Sequence, residues 1–207
     1  MSSNYRGDRS NPENYSANIP EHLSTSVYIL NLPPNCTVND VLSTLKGTGK
    51  IWACNMNPPT ATIATSAMKI VWWNRDGVDR LLTKSRRGEF TIRGYVPVVK
   101  MNRVRSDAQP PSIESRVLQV TGPKDIVNRT VLDKVFSDFD IAWDLDEFTI
   151  LLEAEDFRAV EYKFASYRCQ AASAMRAINR QKSIADQEDG HAAWSRVYAH
   201  WGVDPCA

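Results

Sequence analysis

The stretch Val27-Tyr28-Ile29-Leu30-Asn31-Leu32 decides the fold of this chain. Its side chains alternate, so that Val27 and Ile29 share one face while Tyr28 and Leu30 share the other. Alternation in a short run of β-branched and aromatic residues is typical of a strand with one buried face. Two prolines follow directly and end the strand, because proline cannot donate to a sheet ladder.

The segments after this strand predict a β-α-β-β-α-β unit of about 80 residues. Thr37 is the predicted N-cap of the first helix, with Asp40 three residues later in the position of a capping box. The later elements of the unit are predicted as strands at 51–56 and 68–73, a helix at 76–82, and a hairpin-like pair at 90–92 and 95–101.

The same order of elements is predicted a second time. Strands are expected at 117–121, 147–152, 159–164 and 196–200, with a helix capped by Asn128 or Thr130, a helix at 167–178 and a polar turn at 187–190. Repetition of such a unit favours two domains over one. The predicted boundaries are a disordered tail at 1–24, a first domain at 25–105, a linker at 106–114 and a second domain at 115–204.

Composition places the chain among ordinary globular proteins, with 43% hydrophobic and 24% charged residues. No apolar run approaches the roughly 20 residues that span a bilayer, and residues 1–26 lack the apolar core of a signal peptide. We therefore expect a protein of the nucleus, the cytoplasm or both. The four cysteines are widely scattered, which indicates reduced thiols.

The net charge of +1 conceals an asymmetry between the two halves. Residues 1–110 hold 14 Lys and Arg against 8 Asp and Glu, a net charge of +6. Residues 111–207 hold 11 against 16, a net charge of −5. The first half is therefore expected to attract a polyanion and the second to repel one.

The hexapeptide at 27–32 resembles, residue type by residue type, the first-strand motif of the RNA recognition motif family. This resemblance implies an α+β fold with two ferredoxin-like sandwiches in tandem. It also implies that Tyr28, at the second position, stacks on a nucleobase from the open side of a four-stranded sheet.

The third strand departs from the pattern of that family. If Met68, Ile70 and Trp72 face the core, Lys69 escapes burial, and Ala67 and Lys69 then occupy the two positions where the family carries aromatic residues. The predicted surface is thus a mixed one of modest affinity and strong salt dependence. The candidate RNA-binding residues are Tyr28, Leu30, Lys69, Trp73, Lys100, Asn102, Arg103 and Arg105.

The second domain departs further from the family pattern. Gln119 falls at the stacking position, and Ala159, Glu161 and Lys163 are predicted to face outward, which leaves that face without an aromatic residue. We expect this acidic domain to act as a scaffold or to bind a protein partner. The alternative is that both sheets contact proteins and neither contacts RNA. Residues 193–196, Ala-Trp-Ser-Arg, do not match the Arg-x-Phe loop of the peptide-binding subclass.

Several short motifs also resemble a group of tandem-domain RNA-binding proteins from filamentous fungi. The resemblance covers residues 20–207 and rests on the segments at 49–53, 57–59, 102–105, 115–123, 166–171 and 204–206.

No motif predicts an enzyme, a cofactor or a metal site. The chain lacks a Gly-x-Ser-x-Gly elbow and a phosphate loop, and its three histidines lie far apart. Two further groups of residues are open to two interpretations, either phosphate contacts or solvated surface. They are Lys84, Arg86 and Arg87, and, in the tail, Tyr5, Arg6 and Arg9.

Overall fold

A computed structural model describes residues 10–185 and 192–207. It contains two four-stranded antiparallel sheets, each packed against helices, which confirms the predicted α+β class and the two ferredoxin-like units in tandem. The strands are β1 (Ser26–Leu32), β2 (Ile51–Asn57), β3 (Ser66–Trp72), β4 (Val98–Met101), β5 (Val117–Pro123), β6 (Leu145–Glu153), β7 (Phe157–Phe164) and β8 (Tyr198–Trp201). The α-helices are α1 (Val38–Leu42), α2 (Arg75–Arg86), α3 (Arg129–Asp138), α4 (Ala172–Ala185) and α5 (Ala192–Ser195).

The first sheet has the strand order β2-β3-β1-β4. One side of it packs against α1 and α2, and we call the opposite side its open face. Val27 and Ile29 of β1 are fully buried in the core, as are Met68 and Ile70 of β3. The strand phase predicted from the alternation is therefore the phase observed.

The two helices of the first unit differ in how they begin, since α1 has a side-chain cap and Asn74, the N-cap of α2, makes no capping hydrogen bond with its side chain. Thr37 and Asp40 form the predicted capping box at the start of α1. Helix α2 is longer than predicted. It can approach Trp72 closely because Gly77 has no side chain, since a Cβ at that position would lie 2.0 Å from the Trp72 ring. The indole Nε1 donates to Thr48 Oγ1 at 3.2 Å, so this buried polar atom is satisfied.

The second sheet has the order β6-β7-β5-β8. Tyr162 and Phe164 point into its core as predicted, and Asn128, rather than Thr130, caps α3. The helix predicted at 167–178 is interrupted at its start. Arg168 and Cys169 have non-helical dihedral angles, with φ of +62° at Cys169, and α4 begins at Ala172. The turn predicted at 187–190 lies outside the described residues.

The two units are docked on one another along the free edge of β2. The Ser166 hydroxyl accepts a hydrogen bond from Cys54 N at 2.8 Å and donates one to Cys54 O at 2.9 Å. Asp204 Oδ2 accepts from Ile51 N at 2.8 Å. Ala165 and Cys206, both fully buried, belong to the hydrophobic core of the first unit. Residues of the second half thus complete the hydrophobic core of the first unit.

Arg116, immediately before β5, is the charged centre of this junction and is 1% exposed. Its guanidinium pairs with Asp146 at 2.7 Å and with Asp204 at 2.9 Å, and it also donates to Phe164 O at 2.8 Å. Burial alone would lower the pKa of Arg116, but the two carboxylates raise it above its usual range. A buried charge with this many partners fixes one arrangement of the segments around it.

The predicted linker and part of the predicted tail lie against the first unit. In the linker, Ser106 O accepts from Thr25 N at 3.0 Å and Gln109 N donates to Trp73 O at 2.8 Å. Residues 10–24, where the sequence predicted disorder, contain two short 3-10 helices and hydrogen-bond to the segment after β4. Residues 1–9, with Tyr5, Arg6 and Arg9, lie outside the described residues. Within the ranges that are described, no helix is both long and apolar enough to cross a membrane.

Candidate nucleic-acid interface

A row of four side chains crosses the open face of the first sheet. Tyr28 pairs with Lys69 on β3 and with Lys100 on β4, and Lys69 pairs in turn with Asn55 on β2. Adjacent strands lie about 4.8 Å apart, so the row extends over roughly 14 Å. This places one aromatic ring between two lysines.

Tyr28 is partly exposed, and so is Leu30, two positions further along the same face of β1. Leu30 pairs with Val98, whose side chain is 46% exposed. Tyr28, Leu30 and Val98 therefore form an accessible apolar surface on the part of the open face where β1 and β4 pair. An aromatic ring bordered by apolar side chains is suited to stacking with a planar base.

The positive charges around this surface are not neutralised internally. Lys69, Lys100 and Arg103 form no salt bridge within 10–185 and 192–207. Burial lowers the pKa of Lys69, and the nearby positive charge of Arg168 lowers it further. An anion bound beside Lys69 would relieve that repulsion, so the site favours a negatively charged ligand.

Arg168 is a residue that the sequence analysis missed. It comes from the turn before α4 in the second unit, and its guanidinium lies 4.9 Å from the ring centroid of Trp52 on β2. One of its nitrogens donates to Asn14 Oδ1 at 3.1 Å. No local pattern marks it, because only the docking of the two units brings it to the first sheet.

Trp73, a predicted stacking residue, is 7% exposed and lies at the junction of the two units. Its Nε1 donates to Pro110 O at 2.6 Å, its ring centroid lies 5.0 Å from that of Tyr167, and Lys50 Nζ lies 3.8 Å from its ring centroid. This side chain already has partners on several sides. The structure therefore does not place it on the accessible surface.

Asn102 and Arg105 are also engaged within the chain. Asn102 Nδ2 donates to Ser26 Oγ at 2.9 Å, and the Arg105 guanidinium donates to Ile19 O at 2.6 Å. The backbone of Arg105 hydrogen-bonds to Ser16 and Ala17 as well.

Of the eight predicted residues, the structure brings four together, places one exposed where the chain leaves β4, and uses three in internal contacts. The four residues that lie together are Tyr28, Leu30, Lys69 and Lys100, and the exposed one is Arg103. The three with internal contacts are Trp73, Asn102 and Arg105.

The open face of the second sheet is a closed polar network. His200 Nε2 lies 2.9 Å from Gln119 Oε1, and Gln119 Nε2 donates to Glu161 at 2.7 Å. Lys163 pairs with Glu147 at 2.6 Å and with Glu161 at 3.4 Å. These groups satisfy one another and leave little charge for a ligand.

This face does carry aromatic residues, contrary to the sequence analysis, namely Tyr198 and, at the start of β7, Phe157. Tyr198 on β8 pairs with Thr121, on the same side as Gln119, and is 62% exposed. Its neighbour Lys182 lies with Nζ 4.4 Å from the ring centroid. Sequence pattern did not mark either residue, because Tyr198 lies on the fourth strand of this sheet and Phe157 precedes the strand predicted at 159–164.

The other groups considered from the sequence do not join this site. Lys84 Nζ donates to Thr44 O at 2.6 Å, which places it in the helical layer, away from the open face. Arg86 and Arg87 follow it at the exposed end of α2. The described residues contain no cluster of His, Cys, Asp and Glu that could hold a metal ion.

Comparisons with known proteins add a general likeness and no closer relationship. No protein-family model and no curated protein matches the chain. The first two RRM domains of the yeast poly(U)-binding protein are 14% identical, with 86% of this chain and 99% of that chain covered and a TM-score of 0.33. RNA recognition domains 1 and 2 of Drosophila Sex-lethal are 16% identical, with the same two coverages and a TM-score of 0.30.

Three RNA-binding domains of a yeast splicing factor are 14% identical, with 86% of this chain and 64% of that chain covered and a TM-score of 0.32. These values are too low to superpose one site on another. The strand register of this chain alone defines the surface, and the resemblance to fungal proteins stays a prediction.

Proposed function

We propose that this protein binds single-stranded RNA on the open face of its first sheet. Tyr28 stacks on one base, and Lys69, Lys100 and Arg103 contact the neighbouring phosphates. The observation that supports this most strongly is the register that sets Tyr28 between two lysines without salt bridges. Such a ligand is found in the nucleus and the cytoplasm, which is where we expect the protein.

The composition of the surface determines the expected strength of binding. A single stacked base contributes about 1–3 kcal/mol, so removing the ring weakens binding by about 5- to 150-fold. Each phosphate contact on a single strand contributes about −0.7 to the slope of log K against log salt. Contacts by Lys69, Lys100 and Arg103 therefore give a slope of about −2, and Arg168, whose charge lies near Lys69, would add a fourth contact and bring the slope to about −3.

Fluorescence anisotropy with a randomised single-stranded RNA pool, at two salt concentrations, tests the proposal. The variant Tyr28→Ala should lose most of the binding, whereas Tyr198→Ala, an exposed strand tyrosine of the second sheet, should retain it. Equal affinity of Tyr28→Ala and the wild type, or the absence of binding at low salt, would rule the site out.

We further propose that the second unit acts as a scaffold for the first. Its contacts with β2 and its closed polar network support this role. One observation favours the competing hypothesis, in which both sheets contact proteins. Because Trp73 is engaged by Pro110, Tyr28 is left as the one accessible aromatic residue among the eight predicted RNA-binding residues. Loss of RNA binding only in Tyr198→Ala would support a different arrangement, with the ligand on the second sheet.

A further inference from the structure

Strand β6 forms an unpaired edge of the second sheet. It runs over nine residues from Leu145 to Glu153 and pairs only with β7. Within the described part of the chain, no backbone hydrogen bond joins β6 to any other element. Its first residues are screened by α1, where Asn39 donates to Asp146, but the rest of the strand is not covered.

The uncovered part of this edge is apolar. Ile150, Leu151 and Leu152 are 47%, 48% and 55% exposed, and Phe157, at the start of β7, is 38% exposed. Three consecutive exposed aliphatic residues on an edge strand are a liability in a free protein, because the strand can recruit another chain. Such an edge is most simply explained as a binding surface.

The charges at this edge indicate the kind of partner. Glu153 is paired with Arg158 at 2.7 Å, but Glu155 and Asp156, exposed in the adjoining turn, form no salt bridge among the described residues. The whole second half carries a net charge of −5 over residues 111–207. A segment that combines apolar side chains with lysine or arginine would complement both features.

We propose that β6 binds an extended segment of another protein, in which aliphatic residues alternate with Lys or Arg, as an additional strand of the second sheet. Backbone hydrogen bonds along the free edge supply affinity, and the apolar side chains at 150–152 select every second residue of the segment. The basic residues of the segment meet Glu155 and Asp156.

A second copy of this chain fits the edge less well. In a symmetric antiparallel pair of two β6 strands centred on Leu151, Glu155, in the turn just beyond the strand of one copy, would lie opposite Glu147 of the other. Like charges directly opposite one another destabilise a strand pair. The acidic edge therefore favours a basic partner over self-association.

The test uses the ¹⁵N-labelled full chain and a synthetic peptide in which valine alternates with lysine and arginine. We expect amide shift changes confined to residues 147–157. The double variant Glu155→Lys/Asp156→Lys should weaken binding by about tenfold or more at low salt. The matched variant Glu89→Lys/Asp107→Lys, which reverses two exposed charges of the first half, should bind normally.

Three results would overturn the proposal. They are shift changes located on the open face of the first sheet, equal binding of a peptide with glutamate in place of its basic residues, and concentration-dependent dimers in sedimentation that Leu151→Lys abolishes. The last of these would identify a second copy as the occupant. The second and third results leave RNA binding at Tyr28 untouched, so they distinguish failure of this proposal from failure of the proposed function. Peptide binding on the open face of the first sheet would instead favour the competing hypothesis that both sheets contact proteins.

Discussion

Several contacts hold the two units together, and Ser166→Ala is the sharpest way to perturb one of them. The Ser166 hydroxyl satisfies both the N–H and the C=O of Cys54, at 2.8 and 2.9 Å, on a strand edge where Cys54 is only 6% exposed. Alanine lacks the hydroxyl group, so it can neither accept from Cys54 N nor donate to Cys54 O. Both backbone groups would then be left buried without a partner.

The cost follows from those two groups. A buried polar group that loses its partner costs about 1–3 kcal/mol, so we expect Ser166→Ala to destabilise the docked state by about 2–5 kcal/mol. The Cys54 thiol provides a direct readout, because it is buried at the junction and donates to Ala165 O at 3.0 Å. Burial raises its pKa to about 12, which makes it unreactive in the docked state.

The assay is labelling of native protein with a thiol reagent, followed by mass spectrometry of the Cys54 peptide. Undocking by 2–5 kcal/mol should increase the labelling rate of Cys54 by about 30-fold to several thousandfold. Cys169 is exposed and should react at the same rate in both proteins. Ser137→Ala is the matched control, since its exposed hydroxyl bonds only within α3.

Urea denaturation of the same variants supplies the second measurement. Ser166→Ala should lower the free energy of unfolding by far more than Ser137→Ala, or should split the transition into two. If the two variants are equally stable and Cys54 is labelled at the wild-type rate, the role assigned to the hydroxyl is incorrect.

Three further predictions concern the charges. Arg168→Ala should make the slope of log K against log salt for RNA binding shallower by about 0.7, whereas the exposed Arg196→Ala should not; an unchanged slope would remove Arg168 from the site. Asp204→Asn should cost about 3–5 kcal/mol in urea denaturation, because it leaves the buried Arg116 only partly compensated; a cost below about 1 kcal/mol would contradict that account. Asp40 has a pKa below its usual value, mainly because it accepts from the Thr37 N–H. The ionised Asp40 carboxylate therefore stabilises the fold above the ordinary carboxyl pKa, and this stabilisation is lost as the pH falls through the lowered pKa. Asp40→Asn should flatten this part of the curve of urea midpoint against pH. An identical curve for the variant would exclude the cap as the source of the pH dependence.

The fold could be predicted from the sequence because its signals are local. Alternation in β1 and in β3 assigned Val27 and Met68 to the core and Tyr28 and Lys69 to the open face, and burial in the structure agrees. The cap at Thr37 could also be predicted, since a capping box needs only four consecutive residues.

The site was predicted less well because its limits are set by distant residues. Trp73 lies on the open side by strand phase, yet Pro110, 37 positions away, and Tyr167 of the other unit enclose it. Arg105 was expected at the surface, but Ile19 occupies its guanidinium from 86 positions away. Hydrophobic periodicity carries no information about such contacts, and neither does residue type.

The packing of Cys206 into the core of the first unit has a consequence for how the protein is made. The Cys206 thiol donates to Leu42 O across 164 positions of sequence, and Ala165 enters the same core. During synthesis, the first sheet emerges from the ribosome long before these two residues exist. Its β2 edge must therefore remain uncovered until residues 165 and 206 have been made, and closure of so long a loop is expected to be slow. A fragment that ends at the linker would retain this open edge permanently and should aggregate.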